Sequence, residues 1–167
     1  MRRAINHPWW TAAVVAFAAI VMFVLVWFQP QKLVIDETVN DAAPTTIDPA
    51  PAQSTTPQSS PAQPTQPTRF RGIDHETTGS VLVLPGIVRF EDLDTSNGPD
   101  LHVYLSTTPH DGPRHAFDDD YVELGRLKGN KGDQNYDVPP GTDLARYRSV
   151  VIWCKRFSVP FGAAPLS

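Results

Sequence analysis

Twenty consecutive residues, Trp9 to Phe28, contain a single polar side chain, Thr11. A helix that is apolar on every face must be enclosed on every face, and a chain this small has no core large enough to do so. At about 1.5 Å per residue such a helix spans about 30 Å, the thickness of a bilayer's hydrocarbon core. Trp9, Trp10 and Trp27 stand at its ends, where indole rings favour the membrane interface. Arg2 and Arg3 precede it, and Lys32 after it is offset by Asp36 and Glu37. The positive-inside rule then puts residues 1–8 in the cytoplasm as a short tail and everything after Phe28 outside. A cleaved signal peptide would have a shorter apolar region and a small-residue cleavage site. This run instead exits through Val26-Trp27-Phe28-Gln29-Pro30, and no cysteine follows it to carry a lipid. The expectation is a single-pass membrane protein anchored by Trp9–Phe28, with an extracytoplasmic C-terminal domain.

The next segment, 29–68, reads as a linker rich in Pro, Thr, Ser and Gln. In Pro44 to Pro67, 22 of 24 residues are Pro, Ala, Ser, Thr or Gln, with only Ile47 and Asp48 outside that set. Such a stretch cannot bury enough surface to offset the entropy of ordering it. The expectation is an extended, polyproline-like stalk, with a short strand or turn where Lys32-Leu33-Val34-Ile35 through Val39 is mildly apolar.

The folded unit is then 69–167, which holds 10 of the 16 aromatic residues, 11 Lys and Arg, and 14 Asp and Glu. Its acidic balance, and the chain's net charge of −4, argue against nucleic-acid binding, which needs a dense basic surface. Its apolar runs are short and separated by turn residues. Gly79–Leu84 and Ile87–Phe90 form a hairpin about Pro85-Gly86. Leu101 to Leu105 alternates strictly, with Leu101, Val103 and Leu105 on one face and His102 and Tyr104 on the other. Further strands are expected at Tyr121–Leu124 with Arg126–Lys128, at Gln134–Val138, at Ser149–Cys154, which is apolar on both faces, and at Arg156–Phe161, where Pro160 marks an edge or bulge. Pro109–Asp120 reads as an exposed loop, and Asp143–Arg148 as one helical turn. The expected class is all-β: an antiparallel β-sandwich or flattened barrel.

Cys154 is the only cysteine of the chain. One cysteine excludes an internal disulfide and a multi-cysteine metal site. It shares the face of Val150 and Ile152, and Lys155 and Arg156 follow it. Two readings stand side by side: a small buried hydrophobe, as most free cysteines are, or a thiol at the edge of the core whose chemistry nearby cations promote. His75 and His102 are the candidate second ligands or proton partners. His110 and His115 sit in the Pro/Gly loop and read as solvated. No haem-attachment, zincin or nucleophile-elbow motif is present. Glu91–Asp94 and Asp118–Asp120 are acidic enough for calcium but lack the spacing of a calcium loop.

Several motifs then recur in order: His75-Glu-Thr-Thr-Gly79; Gly98-Pro-Asp-Leu-His-Val-Tyr-Leu-Ser106; Leu124-Gly-Arg-Leu-Lys-Gly129; Gly132-Asp-Gln-Asn-Tyr136 with Pro139; and Tyr147 through Leu166 around Trp153-Cys154-Lys155-Arg156. Together they resemble the DM-thirteen domain family, the electron-transfer domain of Skeletor-type proteins, often joined to DOMON cytochrome-like domains. The resemblance covers Phe70 to Leu166. The membrane segment and stalk lie outside it and suit a bacterial, membrane-anchored form. It implies redox or electron transfer through a cysteine, as a bare thiol or as ligand to a prosthetic group such as haem, and the matching position is Cys154. It also implies a redox partner protein. Two other classes remain open. One is a non-catalytic adhesion or partner-binding domain with a structural cysteine. The other is a sortase-like cysteine transpeptidase, whose Thr-Leu-x-Thr-Cys context is missing here.

Overall fold

The computed structural model describes residues 8–28, 35–44 and 66–166. Residues 1–7 of the expected 1–8 tail, residues 29–34, most of the Pro-rich stretch (45–65) and Ser167 lie outside the described residues, as do the side chains of Pro8 and of residues 25–28.

Helix α1 runs Pro8–Phe28, 21 residues, with proline where its missing N–H costs nothing. Of its side chains those of 9–24 are described, all exposed. Among the described residues no helix is long and apolar enough to cross a membrane. The spanning helix expected at Trp9–Phe28 therefore has no structural support and returns below only as a proposal.

Among the described residues the remaining regular structure, two 3-10 turns apart, is β: β1 (Thr38–Asn40), β2 (Thr68–Arg69), β3 (Arg71–Gly72), β4 (Thr77–Leu84), β5 (Ile87–Thr95), β6 (Leu101–Ser106), β7 (Tyr121–Arg126), β8 (Lys131–Asp137), β9 (Ser149–Cys154) and β10 (Val159–Pro165). They form two five-stranded sheets, ordered β1-β8-β5-β4-β2 and β3-β10-β9-β6-β7. Neither sheet closes on itself, so the flattened-barrel alternative is not what forms. All strand pairings are antiparallel except β1 with β8, which is parallel. Three of the four sheet edges are strands of two or three residues, and the fourth, β7, carries a register shift opposite Val103 and Tyr104.

The two sheets share one apolar core. β4 and β5 supply Val81, Val83, Val88 and Phe90, and β6, β9 and β10 supply Leu101, Val103, Leu105, Val150, Ile152, Cys154 and Phe161. At about 25 cal/mol per Å2 of apolar surface removed from water, these side chains are what make the fold stable. The β4–β5 turn is the expected Pro85-Gly86, where Gly86 takes φ of +76°, a conformation only glycine adopts freely.

Several expectations shift by a few residues. β5 extends through Glu91–Asp94, with a bulge that puts Asp92 at φ +51°. β8 starts at Lys131 rather than Gln134, and β10 starts at Val159 rather than Arg156. Pro160 lies at the β10 register shift, beside β9. The helical turn is a 3-10 turn, Leu144–Arg146, capped by the Asp143 carboxylate, which accepts from the Ala145 N–H. The Pro109–Asp120 loop is not wholly exposed. Its Phe117 is fully buried on the outer face of the second sheet, with Tyr104, Val151, Trp153 and Ala163. That cover explains why β9 is apolar on both faces.

The short strand or turn expected through Val39 is present as β1 (Thr38–Asn40), but its partner was not visible in the sequence. Part of the 29–68 segment read as linker is built into the domain: Thr38, Val39 and Asn40 pair with Lys131, Gly132 and Asp133 of β8.

Candidate functional site

Cys154 is the last residue of β9, where the sheet ends in the exposed turn Lys155–Ser158. Its Cα partners are Leu101 on β6 and Val159 on β10. The thiol is free and 0% exposed, on the inner face with Leu101, Val103, Ile152 and Phe161. The Asn97–Pro99 loop packs closely on two of these neighbours: a Cβ on Gly98 would lie 2.7 Å from Leu101 Cδ2 and 2.9 Å from Phe161 Cζ. Phe157, in the adjoining turn, is 64% exposed.

The two histidines go to different places. His75 is exposed and lies at the same end as Cys154, its ring stacked 3.8 Å from Phe161. His102 pairs with Trp153 across the ladder, and neighbours in an antiparallel ladder share a face. It therefore faces away from Cys154, on the other side of the second sheet. No hydrogen bond among the described residues joins Cys154 to either ring, so the cysteine–histidine contact that nucleophilic catalysis needs is not formed.

His102 sits instead in a charged network that the sequence reading missed. Its Nδ1 is 2.5 Å from Glu123 Oε1 and its Nε2 is 3.0 Å from Asp100 Oδ1. Lys155 Nζ reaches Glu123 Oε2 at 2.6 Å, and Arg126 Nη2 reaches Asp100 Oδ1 at 2.5 Å. Burial would raise the Asp100 carboxyl, but the His102 hydrogen bond and the charges of Arg126, His102 and Arg156 outweigh it and hold it below its ordinary value. Glu123 is lowered in the same way, against its burial, by Lys155 and His102.

Carboxyls held low in the folded state add stability above their unfolded pKa values, near 4, and lose it as pH falls through the lower folded values. The melting temperature should therefore fall as pH drops below about 4. Asp100→Asn with Glu123→Gln should flatten that fall and cost about 1 kcal/mol at pH 7, since both groups are partly solvated. Thermal unfolding followed by circular dichroism between pH 7 and 2.5 checks this.

Beyond the network, aromatic rings form a row on the same outer face. Tyr121 stacks on Tyr104 at 4.1 Å, and Tyr104 lies 6.2 Å from Trp153. Burial, with Tyr121 beside it, pushes the Tyr104 phenol well above its usual range.

Cofactor chemistry fits Cys154 poorly. Among the described residues no group of three His, Cys, Asp or Glu side chains is placed to hold a metal, and this includes both acidic runs. A haem needs an open pocket of several hundred Å3 beside its ligand. Of the clefts near this end, one between Ile35, Glu37, Gly98, Leu101 and Asn130 is about 90 Å3 and one between Asp36, Glu76, Thr78, Thr95 and Lys131 is about 290 Å3, and Cys154 lines neither. The thiol is walled by packed side chains, so a planar macrocycle would displace the core.

With this geometry in hand, one protein-family profile, described as electron transfer DM13, matches residues 69–166, more than half of the chain. Neither a curated protein nor a solved structure matches the chain.

Proposed function

Because the chain belongs to the electron transfer DM13 family, we propose that its β domain is a redox module whose working group is the Cys154 thiol. The carrying observation is position. Cys154 ends its strand at the rim of the core, beside the exposed Lys155–Ser158 turn and its unburied Phe157. Local opening of that turn is the shortest route from the thiol to a partner. In its simplest balanced form, the Cys154 thiol loses its proton to solvent and its sulfur bonds one sulfur of a partner's disulfide. The partner's other sulfur leaves as thiolate, so Cys154 is oxidised to a mixed disulfide and the partner sulfur is reduced. His75 lies at the correct end to take part as a proton partner once the turn opens, whereas His102 contributes through Glu123 and Lys155.

The anchor reading accompanies this one. The apolar run Trp9–Phe28, its tryptophan ends and its preceding arginines support an α1 that spans a membrane, with the tail at 1–8 cytoplasmic and the β domain extracytoplasmic. Protease added to intact cells should then remove the domain, and a protected domain would reverse the orientation.

A second reading, a partner-binding domain with a structural cysteine, is favoured by the complete burial of Cys154. One experiment separates the two. The folded full chain is mixed with an aromatic disulfide reagent, and mixed-disulfide formation is timed against global unfolding. The redox reading expects reaction much faster than unfolding, and none in Cys154→Ser. That variant should stay folded at a cost of about 1–3 kcal/mol for a hydroxyl in an apolar core. Reaction no faster than unfolding would leave the structural reading standing.

A further inference from the structure

The attachment of β1 is denser than a passing contact. Its backbone meets β8 through Lys131 N–H donating to Glu37 O at 3.2 Å and Asp41 N–H donating to Asp133 O at 2.9 Å. Asn130 accepts from the Glu37 N–H at 2.7 Å and donates to Asp36 Oδ1 at 2.8 Å. The Asp41 carboxylate accepts from the Asn135 N–H and from Lys128 Nζ. The buried Arg89 donates to the carbonyl of Asp41, and Asn135 to that of Ala42. The receiving edge is shaped for the strand. A Cβ on Gly129 would stand 2.3 Å from Glu37 O, and one on Gly132 2.0 Å from Val39 O.

Connectivity gives this its meaning. β1 is one edge of its sheet and β2 the other. The chain between Ala43 and Pro67 therefore returns to the body it left, across a sheet about 19 Å wide at about 4.8 Å per strand. It adds nothing to the distance between α1 and the domain. That distance is set by the seven residues after Phe28, at most about 25 Å fully extended. The clasp also enters at a particular end. Ile35 and Glu37 line a cleft with Asn97, Gly98 and Leu101, and Leu101 is the ladder partner of Cys154.

We propose that Asp36–Ala42 is a clasp that ties the Cys154 end of the β domain to α1, so that the chain after Ala43, which re-enters the same sheet at β2, does not set the reach of the domain from α1. Resting on the anchor and redox readings above, this places the partner of Cys154 in or on the same membrane, not free in solution.

The test uses the full chain in membrane vesicles, with residues 53–58 replaced by a protease site and separate tags on the two ends. Before cutting, the Glu37 and Asp41 amides should be protected from hydrogen exchange. After cutting, the domain should stay with the α1 piece, and Val39→Pro should release it while its β-type circular dichroism persists. Freely exchanging amides, or release of the cut unsubstituted chain, would overturn the clasp. If the uncut chain is missing from the membrane fraction, the anchor reading fails instead, and co-elution of the two cut pieces on gel filtration still decides the clasp. Orientation is read in a Cys154→Ser background with spin labels at Ser96→Cys and Pro85→Cys. Paramagnetic lipid headgroups should broaden the first more than the second, and equal or reversed broadening would overturn the orientation.

Discussion

Phe90→Ala should cost about 3–5 kcal/mol, a large share of the stability of a domain this size. Phe90 is fully buried in β5, the middle strand of its sheet. Its ring meets Phe70 edge-on at 5.0 Å and tilts against Tyr136 at 5.1 Å. Removing it loses the transfer energy of the ring and leaves a cavity that three strands cannot close. These strands are held in register by ladders on both sides of β5. At about 4–8 °C per kcal/mol, the melting temperature should drop by well over 10 °C. Thermal unfolding of the full chain measures it. A drop of only a few degrees would mean that the two sheets are not packed through this ring.

Gly79→Ala should be nearly as damaging, although it adds only a methyl group. Gly79 takes φ of +112°, a region side chains rarely enter. A Cβ there would stand 2.9 Å from the carbonyl oxygens of Glu91 and Asp92 and from Leu93 Cα. All three are backbone atoms of the β5 bulge, so no side chain can swing aside. Strain and overpacking together should cost about 2–5 kcal/mol. The position also works as its own control: Gly86→Ala, at φ +76° but with no atom within 4 Å, carries the strain alone and should cost about 1 kcal/mol. Equal losses at the two glycines would show that the bulge yields.

Gly79 also marks how far the sequence could be read. The turn at Pro85-Gly86 was legible because proline and glycine specify it locally. The faces of β6 and β9 were each legible because alternation of side chains is a local property, but how the two strands pair was not, so His102 stood as a candidate partner of Cys154 until the ladder to Trp153 put it on the opposite face. The bulge at Asp92 was not, since Glu91-Asp-Leu-Asp94 reads only as an acidic run until the ladder to β8 is known. The same holds for β1. The run ending at Val39 reads as a short strand or turn, but nothing local says that it pairs with the two-glycine edge about ninety residues later. Asp100, Glu123, Lys155 and Arg126 were each visible as charges, yet nothing local says that they converge on one imidazole. The motifs that carried the family resemblance are short-range and lay within the matched span, which is why the domain's kind was clearer than its attachment.

The short border strands have a consequence for crowding. Copies held side by side at high density tend to associate wherever a sheet offers a long row of unpaired backbone groups, because a neighbour's strand can extend the ladder and seed a fibre. Three borders here offer two or three residues each, too few to template such growth. The six-residue border, β7, is interrupted by a register shift between Glu123 and Gly125, where Gly125 takes φ of +126°, and such an irregularity breaks the row of groups a neighbour could pair with. Concentrated preparations should therefore remain free of cross-β aggregate for as long as the native state holds.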